Sequence, residues 1–208
     1  MALNLEKGQK INLTNGGDKS FRHVMVGLGW DEAIPVQRNG FLGSLTSSQQ
    51  QQTIDCDASV ILCGENGKIV SDKVEEYCVS FRNLKHSSGA IIHHGDNLTG
   101  EGDGDDEQIQ VDLQNVPSDI AKMVFVVNIY AARERKQHFG MIRNAFIRLV
   151  DMDTKAEICR FNLSENYNNM TGLVVGEIYK RNGEWKFNAV GQPVQEASRL
   201  DALINLYR

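Results

Sequence analysis

Between Asp96 and Glu107 the chain reads DNLTGEGDGDDE, six carboxylates and three glycines in twelve positions with no lysine or arginine among them. Two carboxylates about 4 Å apart repel each other by roughly 4 kcal/mol at an effective dielectric near 20. A compact turn of this composition therefore calls for a cation between its acids. The ligand chemistry on offer is oxygen only. Asp96, Asp103, Asp105, Asp106 and Glu107 supply carboxylates, Asn97 and Thr99 supply neutral oxygens, and the glycines let backbone carbonyls turn inward. Such a set suits calcium, whereas softer transition metals recruit histidine or cysteine. The length invites comparison with an EF-hand, but Leu98 stands third and Glu101 sixth, where that loop needs an acid or amide and a glycine, so an EF-hand is excluded.

The acidity is local. Of 27 acidic residues, 21 lie outside this window and face 22 lysines and arginines, so the rest of the chain is nearly neutral and offers no electrostatic footprint for nucleic acid. A second acidic element is Asp55, Cys56, Asp57. On an extended backbone its two carboxylates emerge on one face and the thiol on the other, and two acids entering an apolar strand need a cation or donors. They are positioned to complete a site made by the glycine-rich loop. Asp151 and Asp153 repeat the spacing, but Lys155 occupies the next ligand position, which makes that segment a surface turn. His93 and His94 are adjacent, so a strand sends them to opposite faces and gives them structural roles. Arg133, Arg135, Lys136, His138, Arg143 and Arg148 form a basic stretch that reads as a solvated face, the alternative being a surface for an anion or an acidic partner. No GxSxG, HExxH or Walker A segment occurs.

The elements that must carry these residues are mostly strands. Short β-branched segments separated by turn signals recur at His23 to Leu28, Ala58 to Cys63, Tyr77 to Leu84, Ala90 to His93, Gln108 to Leu113, Met123 to Tyr130, Ala145 to Val150, Glu157 to Leu163 and Leu173 to Arg181. Many strands of similar spacing predict a mainly β protein, a two-sheet sandwich or a barrel. Gln108 to Leu113 alternates polar and apolar, as a strand buried on one face does, and Met123 to Val127 is apolar throughout, as a central strand covered on both faces is. Asn182 and Gly183 between two such runs predict a two-residue hairpin turn with positive φ at both positions. Ala197, Leu200, Leu203, Ile204 and Tyr207 have helical spacing, which predicts a terminal amphipathic helix over Gln195 to Arg208 packed on the sheet.

The 208 residues are read as one domain with a flexible Ser/Gln-rich loop at about 43–53. Cys56, Cys63, Cys78 and Cys159 form no CxxC pair and read as reduced, buried thiols, with Asp55 and Asp57 raising the pKa of the first. No apolar run is long enough to span a bilayer and residues 1–9 lack a signal core, so a cytoplasmic location is expected. Trp30 and Trp185 read as packing residues, the former next to Asp31 and placed to report on a nearby metal.

GDNLTGEGDGDDE, residues 95–107, resembles the signature of the TerD family of tellurite-resistance and stress proteins. VGLGWD at 26–31, IDCDAS at 54–59, FGMIRNAFIRLV at 139–150 and GEIYKRNGEWKFNAVGQ at 176–192 follow in the family's order, so the resemblance covers nearly the whole chain. It implies a β-sandwich with a C-terminal helix and short helical connections that binds two calcium ions through loops at one end, with no established enzymatic reaction. Carried over position by position, it implicates Asp96, Asn97, Thr99, Asp103, Asp105, Asp106 and Glu107, the pair Asp55 and Asp57, and Asp31 of the GLGWD segment. The chain departs from the family where Gly43 to Thr53 is rich in serine and glutamine, and where Cys56 replaces the usual leucine.

Three functions follow as expectations. The first is a calcium-binding, non-enzymatic stress-response module whose loop, ordered by metal, is recognised by a protein partner. The alternative is a magnesium-dependent phosphohydrolase or nucleotide-processing enzyme in which Asp55, Asp57 and the loop hold the metal and Arg143 assists. The third is a subunit of a membrane-associated stress complex in which calcium is a permanent staple.

Overall fold

The computed structural model describes residues 2–14, 20–32, 54–95, 104–163 and 167–208. The Ser/Gln-rich stretch at 43–53 therefore lies outside the described residues. So do Asp96, Asn97, Thr99 and Asp103. Twelve strands are described, in two six-stranded sheets. One has the order β1 (Leu3–Leu5), β10 (Glu157–Asn162), β9 (Ile142–Asp151), β3 (His23–Glu32), β7 (Glu107–Asp112), β6 (Ile91–His93). The other has the order β2 (Lys10–Asn12), β12 (Glu184–Val194), β11 (Gly172–Arg181), β8 (Lys122–Ile129), β4 (Cys56–Cys63), β5 (Cys78–Ser80). We call them the first and second sheets.

Strand periodicity builds the core. Val24, Val26, Leu28 and Trp30 of β3, Ile109 and Val111 of β7, and Cys56, Ala58, Val60 and Leu62 of β4 all point into one cluster between the sheets. β8 explains its unbroken apolar run: Met123, Phe125 and Val127 join that cluster, while Val124 and Val126 enter a second one on the outer face of the second sheet. There Ile61, Cys63, Cys78 and Val174 are covered by Ala197, Leu203 and Ile204. The hairpin between β11 and β12 turns at Asn182 (φ 55°) and Gly183 (φ 79°), both positive as a two-residue turn requires.

Three features differ from the reading of the sequence. The strand expected over Tyr77 to Leu84 is reduced to β5: Tyr77 ends a short helix, α1 (Val74–Tyr77), and the chain turns after Ser80, whose amide and carbonyl both bond to Asn83. The N-terminal edge strands β1 and β2 carry no such signal, being three residues each, and β1 pairs in parallel with β10. The terminal helix is also shorter than its apolar spacing predicts: α3 covers Leu200–Ile204 and a 3-10 turn covers Asn205–Tyr207. β12 runs on to Val194, and Thr171 then fixes the chain in a non-helical path. Its hydroxyl donates to the Gln195 carbonyl (2.9 Å) and accepts from the Ala197 amide (2.8 Å). Ala197 thus reaches the apolar cluster from a turn. Among the described residues, no helix is long and apolar enough to cross a membrane.

Candidate metal centre

Antiparallel pairing brings the acids together. In the first sheet the C-terminal end of β3 lies beside the N-terminal ends of β7 and β9, with Leu28 opposite Glu107 and Asp31 opposite Arg143. In the second sheet β4 begins beside the end of β8, with Asp57 opposite Asn128. The two ends meet where Glu107 Oε2 accepts the Ala58 amide at 2.5 Å across the sandwich. Asp31, Asp55, Asp57, Asp105, Asp106 and Glu107 therefore share one end of the fold, though far apart in sequence.

Each carboxylate has a definite surrounding. Glu107 and His93 are almost wholly buried, and their contacts explain why. β5 pairs with β4 only over Ser59 to Ile61, which leaves the Ala58 peptide without a strand neighbour on that side. Glu107 takes its N–H, and His93 Nε2 lies 3.2 Å from its carbonyl and 3.5 Å from Glu107 Oε2. His93 Nδ1 accepts the Gly95 amide (3.1 Å), so Nε2 carries the hydrogen and donates. The pair replaces the missing strand and ties the two sheets together. His94, by contrast, is exposed beside Gln110.

Asp105 folds back over the outer face of the first sheet. Its carboxylate receives Arg148 Nε at 2.7 Å and a second guanidinium nitrogen at 3.1 Å, and Gln108 Nε2 at 3.1 Å. Gln108 and Arg148 are the two cross-strand neighbours of Gly27, and the carboxylate rests on that glycine, where a Cβ would overlap it. Arg148 continues to Glu157 (3.0 Å), which also binds Arg160, and Arg160 stacks 4.0 Å from the Phe146 ring. Burial alone would raise the Glu157 carboxyl, but Arg160 and Arg148 outweigh it and hold the group below its ordinary range. The basic stretch is thus not uniformly a solvated face: Arg148 is a half-buried tie to the acidic segment. Its position opposite a glycine on β3 is the only signal that could have revealed this. Gly27→Ala should displace Asp105 from Arg148 and cost about 2 kcal/mol, within the range for overpacked sites. A lowered denaturation midpoint with an unchanged m-value checks it.

The remaining acids are less constrained. Asp106 Oδ2 accepts the Trp30 amide at 2.7 Å. Its pKa is nevertheless raised, first by burial and then by the negative charges of Asp31 and Asp105. Asp31 is exposed and receives Asn144 Nδ2 at 2.7 Å. Asp55 meets Arg135 at 3.6 Å. Asp57 is buried and receives Asn128 Nδ2 at 3.2 Å. That bond fixes the amide's orientation, and Asn128 Oδ1 is left buried with no donor among the described residues. Cys56 points into the core as expected, its thiol pushed well up by burial and by Glu107, Asp57, Asp55 and Asp106. Cys63, Cys78 and Cys159 are likewise free and buried. The Asp151 turn is closed on itself, its carboxylate accepting from the Asp153 amide and the Thr154 hydroxyl.

The donor set here is one of oxygens, which fits a hard cation. Among the described residues, no three His, Cys, Asp or Glu side chains are arranged to hold a metal by themselves. A crevice of about 130 Å³ is lined by Phe139, Gly140, Ile142, Ala145, Leu163, Tyr167 and Leu173.

The TerD domain profile matches residues 1–207. The chain is 49% identical over 207 residues to the stress response protein SCP2 of Bacillus subtilis (strain 168), covering 100% of both chains. It is 42% identical over 192 residues to the tellurium resistance protein TerD of Serratia marcescens, covering 92% of this chain and 91% of that one. A solved structure of a homologue of telluride resistance protein from Streptomyces coelicolor A3(2) has the same fold, with a TM-score of 0.57 at 16% identity over 85% of this chain and 92% of that one. With its acidic signature, its two six-stranded sheets and a profile match along its whole length, the chain belongs to the TerD domain family, whose relatives here include tellurium resistance and stress response proteins.

Proposed function

We propose that the protein is a calcium-binding, non-enzymatic stress-response module whose acidic end is completed by metal and then serves as a structural or partner-binding element. The observation that carries this reading is the convergence of Asp31, Asp105 and Asp106 at one end of the fold, where burial and then the charges of Asp31 and Asp105 raise the Asp106 pKa despite a backbone donor. Such an arrangement gains stability when a cation enters. The buried, donorless Asn128 oxygen beside Asp57 supports the same chemistry.

The acids divide by role. Asp105 and Glu107 act as posts, anchoring the end of the glycine-rich segment to Arg148 and to β4. Asp31, Asp57 and Asp106, with Asp96, Asn97, Thr99 and Asp103, are the candidate oxygen ligands for calcium, two ions in the family pattern. Asp55, next to Arg135, lies at the margin of the set. The described crevice is well below the roughly 300 Å³ of typical small-molecule sites, and no observation among the described residues favours the magnesium phosphohydrolase.

A metal at a hundredfold excess over Kd stabilises the folded state by about 2.7 kcal/mol. In a domain of this size that is a rise of roughly 5 to 10 °C in Tm on adding calcium to chelator-stripped protein. Asp106→Asn keeps an acceptor for the Trp30 amide and removes the repelled charge. It should leave metal-free protein at least as stable as the parent while shrinking the calcium-induced rise. Differential scanning calorimetry with and without calcium reads both, and a parent Tm indifferent to calcium refutes the reading.

A further inference from the structure

The connection from β8 to β9 and the first three residues of β9, together residues 130–144, are built outward from the same end of the sandwich. Three of its non-glycine residues, Ala131 (φ 50°), Lys136 (φ 55°) and Asn144 (φ 52°), adopt the left-handed backbone that L side chains disfavour, and local strain of this kind concentrates at functional surfaces. Ala132, Gln137 and Phe139 are buried and pin the segment down. Backbone contacts fix its position beside the acids: the Tyr130 amide donates to the Asp55 carbonyl at 2.8 Å, and Arg143 lies opposite Asp31.

What this anchoring leaves outside is a mixed surface. Arg133, Lys136 and Arg143 are exposed, and none forms an ion pair among the described residues. Glu134 is the single acid in the segment. Among the described residues, Tyr130 and Met141, 43% and 37% exposed, are two of six large apolar side chains that reach solvent. Spaced cations beside an exposed aromatic and a methionine match the headgroup layer of an anionic bilayer, where Lys and Arg meet phosphates and tyrosine sits at the interface. The geometry disfavours a peptide. β8 and β9 are each paired on both sides, so no strand edge is open to it, and the helix here, α2 (Ala132–Arg135), is four residues long.

We propose that residues 130–144 dock the protein onto anionic phospholipid membranes through Arg133, Lys136 and Arg143, with Tyr130 and Met141 entering the interface. Docking is calcium-dependent, and in that respect it rests on the calcium reading: until a cation neutralises them, the neighbouring Asp31, Asp55 and Asp106 repel lipid phosphates.

The test is co-sedimentation of the full chain with vesicles of phosphatidylcholine, or of phosphatidylcholine with about one-third phosphatidylglycerol, in calcium or in chelator. Calcium calorimetry is run on the same preparations. Each basic residue near such a surface is worth about fivefold in binding, so R133Q/K136Q should weaken partition into the anionic vesicles about 25-fold. Its calcium heats should match the parent's. Y130S/M141S should lose several-fold. Equal binding to both vesicle types overturns the proposal. So does anionic-vesicle binding that R133Q/K136Q leaves intact, or failure to bind vesicles by a protein that still takes up calcium or binds a soluble polyanion such as heparin. If calcium heats are absent while anionic binding persists in chelator and falls in R133Q/K136Q, the surface stands and the calcium reading fails.

Discussion

Arg148→Met is expected to destabilise the protein by about 3 to 5 kcal/mol, the usual consequence of removing one partner from a buried ion pair. The Asp105 side chain is only 1% exposed and receives two nitrogens from that guanidinium. Methionine fills similar space but offers no donor to a carboxylate in a site closed to water. In a domain of this size the loss corresponds to a fall of roughly 10 °C in Tm. Asp105→Asn in the same background should recover part of it, because an amide costs less to bury than an unpaired charge and still accepts from Gln108. A double-mutant cycle measures that coupling. Arg148→Met also shallows the acid limb of the stability curve. Glu157 has a depressed pKa in the folded protein, so its contribution is present above its unfolded pKa and is lost as pH falls through the folded value. Without Arg148 the depression shrinks, and there is less to lose on acidification.

Glu107→Ala is the second large effect. It removes the bridge from β7 to the Ala58 amide and strands His93 beside the empty position. A buried amide without an acceptor costs about 1 to 3 kcal/mol, and more is expected where the lost acceptor was charged, so the total is about 3 kcal/mol. Glu107→Gln keeps an acceptor and should lose no more than about 1 kcal/mol. Denaturant midpoints separate the two variants. Hydrogen exchange at the Ala58 amide gives a local readout: fast in the alanine variant, close to the parent in the glutamine variant.

These two residues show why a ligand set drawn from one segment of sequence mixes roles. Six acids in a glycine-rich run look alike on a line, and the repulsion argument treats them as one group. In the fold the three that are described, Asp105, Asp106 and Glu107, lie where the chain turns into β7 and face different neighbours. Asp105 meets a guanidinium on the outer face, Glu107 meets a peptide between the sheets, and Asp106 accepts the Trp30 amide while the charges of Asp31 and Asp105 add to the effect of burial in raising its pKa. The partners come from β9, β4 and β3, strands brought to one end by antiparallel pairing.

What the sequence determined by itself was whatever local periodicity and chemistry encode. The alternation in β7, the doubly covered β8 and the Asn182–Gly183 turn follow from side-chain direction and permitted φ, which depend only on neighbours in the chain. The oxygen-only character of residues 96–107 and the burial of Cys56 opposite its flanking acids follow in the same way. The tertiary structure decided the rest. It paired the three-residue edge strands β1 and β2, which carry too few residues for a pattern, and Thr171 cut the terminal helix short by claiming the backbone of Gln195 and Ala197. It also turned Arg148 from a surface charge into the partner of Asp105. The energy of a charge depends on what lies within a few ångströms of it in space, and for Asp105 that neighbour is 43 positions away in the chain.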